Sequence, residues 1–312
     1  MYIAMDMGTT NTRAWLCDND RAIIIKKGAF GARLGATEGR CVLFERLRAL
    51  LLELLTENEL TERDIECILC SGMAGSEIGL CEIPHISLPC DINGLAKSIT
   101  EKSIPEITAI PFSFVPGLKK ACENELSDIM RGEETESFGI IQSLQKGSPV
   151  ILVLPGTHNK IIRISENGMI EDFSSSASGE LADIIISHSI LTGSVSHNFS
   201  LSESYAKSGM DYANENGLNA AIFRVRVMGK NGIDRDSLSS FLYGAVLGQD
   251  IKLIKKYSNA GPVYVGGNEA LKSAYCALLD SDNTIPLDKN IASTATLTGL
   301  QKIYCIYKER KV

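Results

Sequence analysis

The chain has 312 residues, and its 31 lysine and arginine residues against 38 aspartate and glutamate residues give a net charge of -7. This length is typical of two domains, and the acidic balance argues against nucleic acid and membrane surfaces as partners, so a small-molecule ligand is expected. Asp6 precedes any long apolar stretch, and no run approaches the roughly 18 apolar residues of a membrane helix. The sequence therefore predicts no signal peptide and no membrane span. A cytoplasmic location is expected.

Short apolar runs at the start of the chain indicate a β-meander. Residues 2–5 and 13–17 flank a Gly-Thr-Thr-Asn turn, and AIIIKKG supplies a third strand. The segment CVLFERLRALLLELLTEN then has leucines at helical spacing, and IECILCSG reads as the next strand. Strand, helix and strand in succession are typical of an α/β fold.

The pattern restarts near the middle of the chain. DIMRGEETESFGIIQSLQ predicts a turn that opens into a helix, and KGSPV has the composition of a linker. We therefore divide the chain into an N-terminal lobe, residues 1–146, and a C-terminal lobe, residues 147–312. The second lobe contains the strands VILVLPG and KIIRIS, the helix GELADIIISHSIL, helices at 236–257 and 268–280 with the strand PVYVGG between them, and a helical C-terminus.

Two further features are interpreted as packing. The nine cysteines are scattered through apolar segments, which favours reduced thiols, and the spacing around the Cys67–Cys70 pair does not fit a zinc ribbon. Gly244 and Gly248 are four residues apart in FLYGAVLGQD, a spacing that predicts a close contact between helices rather than a ligand loop.

The two lobes share a turn sequence. Gly-Thr-x-Asn occurs at residues 8–11 and again at 156–159, each time between apolar strands, and the offset of 156 − 8 = 148 residues indicates an internal repeat. Glycine allows backbone N–H groups to approach a phosphate closely, and the hydroxyls of Thr9, Thr10 and Thr157 add donors. Both turns therefore have the chemistry of a nucleotide phosphate loop.

Asp6 ends the first strand beside the first turn. Mg²⁺ prefers carboxylates, water and phosphate oxygens, so Asp6 is the candidate metal ligand, whereas the second copy has Leu154 at that position. The alternative is that both turns are ordinary hairpins and that Asp6 only caps its own turn.

A series of short motifs runs from residue 3 to about residue 250: DMGTTNTRAW, SGMAGS, VPGL, MRGEET, LPGTHNK, DF at 172–173 and SGEL. In this order they resemble the 2-dehydro-3-deoxygalactonokinases, sugar-acid kinases of the actin, hexokinase and heat-shock-chaperone superfamily. The resemblance implies an α/β fold of two ribonuclease-H-like, actin-like ATPase lobes with a central ATP cleft. It also implies ATP and Mg²⁺ as cofactors and phosphorylation of the 6-hydroxyl of 2-dehydro-3-deoxy-D-galactonate.

The same resemblance implies the nucleotide site. The two phosphate loops map onto Asp6 with the first turn and onto the second turn, and the adenosine motif maps onto VYVGGNEAL. The candidate nucleotide-binding residues are Gly8, Thr9, Thr10, Asn11, Gly156, Thr157, His158, Gly266, Gly267 and Asn268.

The resemblance also implies a catalytic carboxylate at the start of a helix in the first lobe, where MRGEET lies. Glu133 is the first candidate for the base, Glu134 the second and Asp128 the third. Arg131 is a catalytic candidate beside them that could also pair with the sugar-acid carboxylate, because a guanidinium group matches that planar anion. The other candidates for substrate binding are Arg13, Arg33 and Ser76.

Other functions stay open at this point. The protein could be a kinase for another 2-oxo-3-deoxy sugar acid, or a nucleotide-switched binding protein of the same superfamily that hydrolyses ATP slowly. The sequence shows no basic patch or appended peptide-binding domain of the kind the second alternative would use. It leaves a homo-oligomer open.

Overall fold

The computed structural model describes residues 1–19, 21–122, 125–144, 147–257, 261–279 and 281–311. The chain divides into two compact units. Unit 1 comprises Met1–Gln145, Gly168–Ile170 and Ser293–Val312, and unit 2 comprises Lys146–Asn167 and Glu171–Ala292. Every helix within the described ranges is too short or too polar to cross a bilayer.

Unit 1 begins with the predicted meander, which the structure confirms. The strands β1 (Tyr2–Met7), β2 (Thr12–Asp18) and β3 (Arg21–Gly28) pair antiparallel in that order. The chain continues through α1 (Ala32–Thr37), α2 (Arg40–Thr56), β4 (Ile68–Gly72), β5 (Ile86–Ser87), α3 (Ile92–Lys97), β6 (Thr100–Lys102), β7 (Phe112–Phe114), β8 (Leu118–Cys122), β9 (Glu125–Met130) and α4 (Glu133–Ile141). The main sheet has the strand order β3-β2-β1-β4-β7-β6, and a smaller sheet has the order β5-β8-β9.

The core of unit 1 lies between α2 and the main sheet. The leucines of α2 at helical spacing are buried, as their spacing predicts: Leu43, Leu47, Leu50, Leu51, Leu54 and Leu55. They belong to one apolar cluster with Ile3 and Met5 of β1 and Ile68 of β4. Because β1 and β4 are central strands, their side chains are buried on both faces of the sheet, which explains their continuous apolar runs.

Unit 2 repeats the arrangement of unit 1. Its elements are β10 (Val150–Leu154), β11 (Asn159–Ile164), β12 (Ile170–Ser176), α5 (Ser178–His188), α6 (Glu203–Asn216), α7 (Leu218–Lys230), α8 (Arg235–Tyr257), β13 (Val263–Val265), α9 (Glu269–Leu279) and β14 (Thr284–Pro286). The strand order is β12-β11-β10-β13-β14. In both units the first strand is antiparallel to its hairpin partner and parallel to the strand on its other side. The internal repeat predicted from the turns thus extends to the sheets.

Helices α6 and α8 are in backbone contact. A Cβ atom added at Gly244 would lie 1.9 Å from the carbonyl oxygen of Ala206, and one at Gly209 would lie 2.0 Å from that of Phe241. The close helix contact predicted for Gly244 is therefore confirmed. The sequence analysis assigned no element to residues 198–235, where α6 and α7 lie.

The last helix, α10 (Lys289–Glu309), packs in unit 1 from Ser293 onward. The sequence-based division placed every residue after 146 in the second lobe, whereas Gly168–Ile170 and the chain from Ser293 onward group with unit 1. The physical reason is the buried side of α10: the Tyr304 ring stacks on Tyr2 with 3.6 Å between centroids, and a Cβ atom at Gly299 would lie 2.0 Å from the carbonyl oxygen of Thr135 in α4.

Candidate active site

The first predicted phosphate turn joins β1 to β2. The amide of Gly8 donates to the carbonyl oxygen of Asn11 at 2.8 Å, which closes the turn. Helix α1 begins against it, with the amide of Ala32 donating to the carbonyl oxygen of Gly8 at 3.0 Å. A Cβ atom at Gly31 would lie 2.3 Å from that same oxygen, so the close approach of helix and turn requires glycine there. Thr10 and Asn11 are exposed.

The second turn joins β10 to β11 and has the same helix contact. The amide of Glu180 donates to the carbonyl oxygen of Thr157 at 2.8 Å, and a Cβ atom at Gly179 would lie 1.9 Å from the carbonyl oxygen of Gly156. Gly31 and Gly179 are also 179 − 31 = 148 residues apart, so the repeat includes the glycine that lets each helix approach its turn. The sequence analysis missed this pair, although the same offset could have found it.

The second turn also forms part of a cavity in unit 2 of about 740 Å³. Gly156 and Thr157 line this cavity together with Asn268, so three of the candidate nucleotide-binding residues meet there. Asn268 begins α9, and its side-chain oxygen accepts from the amide of Leu271 at 2.9 Å. The volume is within the roughly 300–1,000 Å³ of small-molecule sites, and a helix N-terminus favours anions.

The rest of the cavity wall contains residues that the sequence analysis did not predict. Phe199 and Tyr243 stack with 4.9 Å between ring centroids. His197 lies between the Tyr243 hydroxyl and the Asp183 carboxylate, at 3.1 Å from each. These side chains come from α5, from the segment that contains both His197 and Phe199, and from α8, so no single spacing in the sequence relates them. His158, a predicted nucleotide-binding residue, is exposed and lies 3.2 Å from Glu180.

The adenosine-motif glycines lie directly before Asn268. The amide of Gly266 donates to the carbonyl oxygen of Val153 at 2.9 Å, which ties the motif to the end of β10. Gly267 has φ of +86°, the left-handed region that favours glycine, and the Pro155 ring lies 3.1 Å from where its Cβ atom would be. The backbone bend at Gly267 therefore sets the start of α9 beside the second turn.

Asp6 forms an ion pair with Arg13 across the first hairpin. Arg13 Nη2 lies 2.6 Å from Asp6 Oδ2, and Nε donates to the same oxygen at 3.2 Å. The side chains of Asp6 and Arg13 are 16% and 37% exposed, so Asp6 can still be reached from solvent. No group of three His, Cys, Asp or Glu residues within the described ranges could hold a metal ion. The Asp6 carboxylate, partly open to solvent beside the first turn, has the chemistry of the single protein ligand that Mg²⁺ often takes together with water and phosphate oxygens.

The predicted catalytic helix α4 begins at Glu133. Glu134 is completely buried, and its two carboxyl oxygens lie 2.9 and 2.8 Å from the amide nitrogen of Gly132. Burial, assisted by the charge of Glu133, raises the pKa of Glu134 to about 8. Glu133 is only partly buried, and one of its oxygens accepts from the amide of Arg131 at 3.1 Å.

Glu136 is an additional carboxylate of this site that the sequence analysis missed. Burial raises its pKa to about 7, and the charges of Glu133 and Asp6 add to that effect while Arg13 opposes it. The charges of Glu133, Asp6 and Arg13 therefore all act on the carboxyl group of Glu136. In the sequence, Glu136 is only one of several acidic residues in the first turn of a helix, a pattern that the helix dipole alone explains.

The family model for 2-keto-3-deoxy-galactonokinase matches residues 6–303. The chain belongs to this family. It is 28% identical to the 2-dehydro-3-deoxygalactonokinase of Escherichia coli (strain K12) over 263 residues, which are 82% of this chain and 81% of that protein.

Solved structures agree with this assignment. A crystal structure of a candidate 2-dehydro-3-deoxygalactonokinase from Sinorhizobium meliloti is 25% identical, covers 97% of this chain and 98% of its own, and superposes with a TM-score of 0.79. Component A of (R)-2-hydroxyglutaryl-CoA dehydratase from Acidaminococcus fermentans covers 100% of this chain and 99% of its own at 15% identity and a TM-score of 0.52, a likeness of fold. The fold predicted from the motifs, that of the actin-like ATPases and sugar kinases, is confirmed.

In this sugar-acid kinase, the guanidinium group of Arg131 contacts other residues of unit 1. Arg131 Nη2 donates to the carbonyl oxygen of Ile83 at 2.7 Å and lies 3.3 Å from the His85 ring, and Nη1 is buried within 2.9 Å of where a Cβ atom of Gly75 would be. Burial lowers the pKa of the Arg131 guanidinium. These contacts connect the start of α4 with residues 75–85.

The remaining candidates lie in different surroundings. Arg33 is exposed on α1, and its amide donates to the carbonyl oxygen of Thr9 at 3.0 Å. The Ser76 hydroxyl is buried and donates to the carbonyl oxygen of Met73 at 2.7 Å. Asp128 lies on β9 and accepts from the amide of Ile129 at 2.8 Å. Of the predicted substrate residues, Arg33 is therefore an exposed arginine next to the first turn that is not in an ion pair with Asp6.

Proposed function

We propose that this kinase transfers the γ-phosphate of ATP, with Mg²⁺, to the 6-hydroxyl of 2-dehydro-3-deoxy-D-galactonate, giving ADP and 2-dehydro-3-deoxy-6-phosphogalactonate. The membership of the family supports the acceptor. One observation supports the binding of ATP: the second glycine turn and the start of α9 line the same cavity of about 740 Å³.

Unit 2 holds the nucleotide in this proposal. The exposed backbone of Gly156, Thr157 and His158 receives phosphate oxygens. Because the amide of Gly156 already donates to Asn159 Oδ1 at 3.0 Å, the later amides and the Thr157 hydroxyl are the donors left for the ligand. The nucleoside lies toward Gly267 and Asn268, where α9 begins.

Unit 1 contributes the metal ligand. Asp6 would hold Mg²⁺, whose contribution there would be to neutralise phosphate charge, and the turn at Gly8, Thr9, Thr10 and Asn11 would contact phosphate oxygens. Arg13 keeps the Asp6 carboxylate in place through their ion pair. Because Arg13 is paired with Asp6, the exposed Arg33 binds the substrate carboxylate in this proposal. Arg131 is the competing candidate.

Glu133 is the general base in this proposal. It is accessible enough to reach an acceptor hydroxyl, whereas Glu134 is completely buried and, with a pKa of about 8, is largely protonated at neutral pH. A base that accepts the hydroxyl proton contributes about 10²- to 10⁴-fold to the rate. Glu134 instead keeps the first turn of α4 in place through its contact with the amide of Gly132.

The test is coupled ADP release with ATP and Mg²⁺, with and without 2-dehydro-3-deoxy-D-galactonate, beside the gluconate epimer. Glu133→Gln should lower kcat by about 10²- to 10⁴-fold at unchanged KM for both substrates. Glu134→Gln is the matched control one residue away, and it should retain kcat within about tenfold because a buried protonated carboxyl and an amide are similar in shape and charge.

Three outcomes would contradict the proposal in different ways. Slow ADP release that no sugar acid accelerates would favour a nucleotide-switched binding protein. Faster turnover of the gluconate epimer would assign another sugar acid as the substrate. Loss of turnover in Glu134→Gln alone would exchange the roles of the two glutamates.

A further inference from the structure

Asn159, at the end of the second turn, is completely buried and bonds in two directions. Its side-chain oxygen accepts from the amide of Gly156 at 3.0 Å, inside the turn. Its side-chain nitrogen donates to Asp250 Oδ2 at 2.9 Å and to the Tyr275 hydroxyl at 2.7 Å. One amide group therefore connects the first residue of the turn to the interior of unit 2.

Asp250, in the middle of α8, is the acceptor at the centre of this network. It is 2% exposed, and its partners are neutral: Ser178 donates to Oδ1 at 2.8 Å, and Asn159 and the Tyr275 hydroxyl both donate to Oδ2. These donors come from β11, α5 and α9, so a single carboxyl group joins the turn to the two helices that flank it. Burial and the charge of Asp250 raise the pKa of the Tyr275 hydroxyl, which keeps that hydroxyl a donor.

A carboxyl group in such a place is costly for stability. Burying an acid without a cationic partner is unfavourable, and an apolar residue of similar volume is often equal or better for stability in a core. The neighbouring residues Leu247 and Ile251 of α8 are apolar and buried, so a hydrophobic side chain would be the ordinary choice for this part of the helix. A carboxyl group at position 250 is therefore better explained by its bonds to the second turn than by a contribution to the stability of the core.

The first turn has no equivalent of this network among the residues described. Asn11 is exposed, and its side-chain nitrogen donates to the neighbouring Thr10 hydroxyl at 3.1 Å. The strands also differ: Met7 pairs with Thr12 around the first turn, whereas Leu154 pairs with Lys160, so the second turn encloses one residue more. The longer turn is the one whose amide is held by a side chain.

We propose that Asp250 is a positioning residue for the second phosphate turn. Through Asn159 it fixes the direction of the Gly156 amide, and through Ser178 it fixes the start of α5 behind the turn, so that the amides of Thr157 and His158 face the ligand. The effect on ATP rests on the proposed function, while the hold of Asp250 on the turn does not.

The experiment compares Asp250→Leu, which removes the acceptor, with Asp250→Asn, which has nearly the same volume and keeps an amide oxygen for Asn159. Tyr275→Phe removes one hydroxyl from the network. Tyr304→Phe is its matched control, because Tyr304 is also buried and donates to a carboxylate, Glu66, at 2.9 Å, but lies in unit 1 far along the chain from the turn.

Two readouts are needed. In Asp250→Leu, we expect KM for ATP to rise about tenfold with KM for the sugar acid within about twofold, and Asp250→Asn to recover most of that loss. Amide hydrogen exchange over residues 150–162 should become faster in Asp250→Leu and Tyr275→Phe and stay unchanged in Tyr304→Phe.

If Asp250 only stabilised the core, Asp250→Leu would lower the thermal stability and the amount of active enzyme. It would not change KM for ATP or the hydrogen exchange of the turn relative to the rest of unit 2. That result would overturn the proposal. Equal effects of Tyr304→Phe and Tyr275→Phe would overturn it as well. Wild-type protein that uses no ATP would instead reject the proposed function, and hydrogen exchange would still decide whether Asp250 holds the turn.

Discussion

The carboxyl group of Glu134 is buried and accepts from the amide of Gly132, while Glu133 beside it is partly open. The difference follows from their positions on α4, because neighbouring residues on a helix point about 100° apart. The sequence motif could indicate that a carboxylate of this pair belongs to the site, but its two glutamates are identical in type. Only the packing around Glu134 distinguishes a buried acid from an accessible base.

Glu134 should make the stability of the protein depend on pH. Its pKa is raised from 4.5 to about 8, so its contribution to stability is fully present below pH 4.5 and is lost as the pH rises through 8. Glu134→Gln stays neutral, and we expect the free energy of unfolding of wild type to fall relative to this variant by on the order of 2–4 kcal/mol between pH 4.5 and pH 9.

Chemical unfolding of both proteins across this pH range measures the difference, and the other titrating groups cancel because they are the same in both. Parallel curves for wild type and variant would show that the carboxyl group titrates normally in the folded state.

Asp250 and Glu136 show what the sequence could not supply at single positions. Asp250 stands in a long helix among apolar residues and has no motif, and its partners are 25, 72 and 91 residues away. The residues predicted by the motif series are those whose role depends on the local backbone, such as the glycines of the turns. Residues whose role depends on the meeting of distant segments could be found only from the fold.

The turn and the helix behind it form the repeated element of both units. Each unit places a glycine against the carbonyl oxygen of the first turn residue, Gly31 against Gly8 and Gly179 against Gly156. The strands and helices with strong periodicity were predicted correctly, including the meander and α2. Helix α6 was missed because its buried residues are Ala206, Gly209 and Ala213, whose small side chains produce no apolar stripe in the sequence.

Gly179→Ala tests the helix contact of the second turn. The added Cβ atom would lie 1.9 Å from the carbonyl oxygen of Gly156, so backbone must move, and we expect a loss of about 1–3 kcal/mol in the free energy of unfolding and a higher KM for ATP. Gly229→Ala on α7 is the matched control. There the nearest atom is a flexible side-chain carbon of Leu238 at 3.3 Å, and alanine should be neutral or stabilise the helix by up to about 1 kcal/mol.

Thermal unfolding and ATP titration of the two variants test whether the close contact at Gly179 is required for stability and for a low KM for ATP. Equal stability of Gly179→Ala and wild type, with unchanged KM for ATP, would mean that the turn tolerates displacement.

Across the whole molecule, α10 returns the end of the chain to unit 1. It backs α4 so closely that a Cβ atom at Gly139 would lie 1.8 Å from the carbonyl oxygen of Ala295. Tyr304 and Lys308 both bond to Glu66, at 2.9 and 3.0 Å. The sequence predicts the helix but not its unit, because an amphipathic face specifies that it packs and not against which core.

Gly299→Ala tests this contact at a distance from the proposed chemistry. The new methyl group would lie 2.0 Å from the carbonyl oxygen of Thr135 in α4, and the overlap of about 1–3 kcal/mol outweighs the gain of at most about 1 kcal/mol in helix propensity. We expect lower stability, faster hydrogen exchange in α4 and β1 with unit 2 unchanged, and a lower kcat because α4 begins at Glu133.

Lys302→Ala, exposed on the same helix, is the control and should change the free energy of unfolding by no more than about 0.5 kcal/mol. Faster exchange in unit 2 rather than unit 1 in Gly299→Ala would contradict the assignment of α10 to unit 1.

The return of α10 also has a consequence for synthesis on the ribosome. Unit 2 ends at Ala292, whereas unit 1 needs both its first residues and its last. Domains made during translation tend to fold as they emerge, so unit 2 can complete its core while Tyr2, made before it, still awaits Tyr304, made after it. The unit whose synthesis begins first is thus the unit that is completed last, and a chain terminated after Ala292 would contain every segment of unit 2 but an incomplete unit 1.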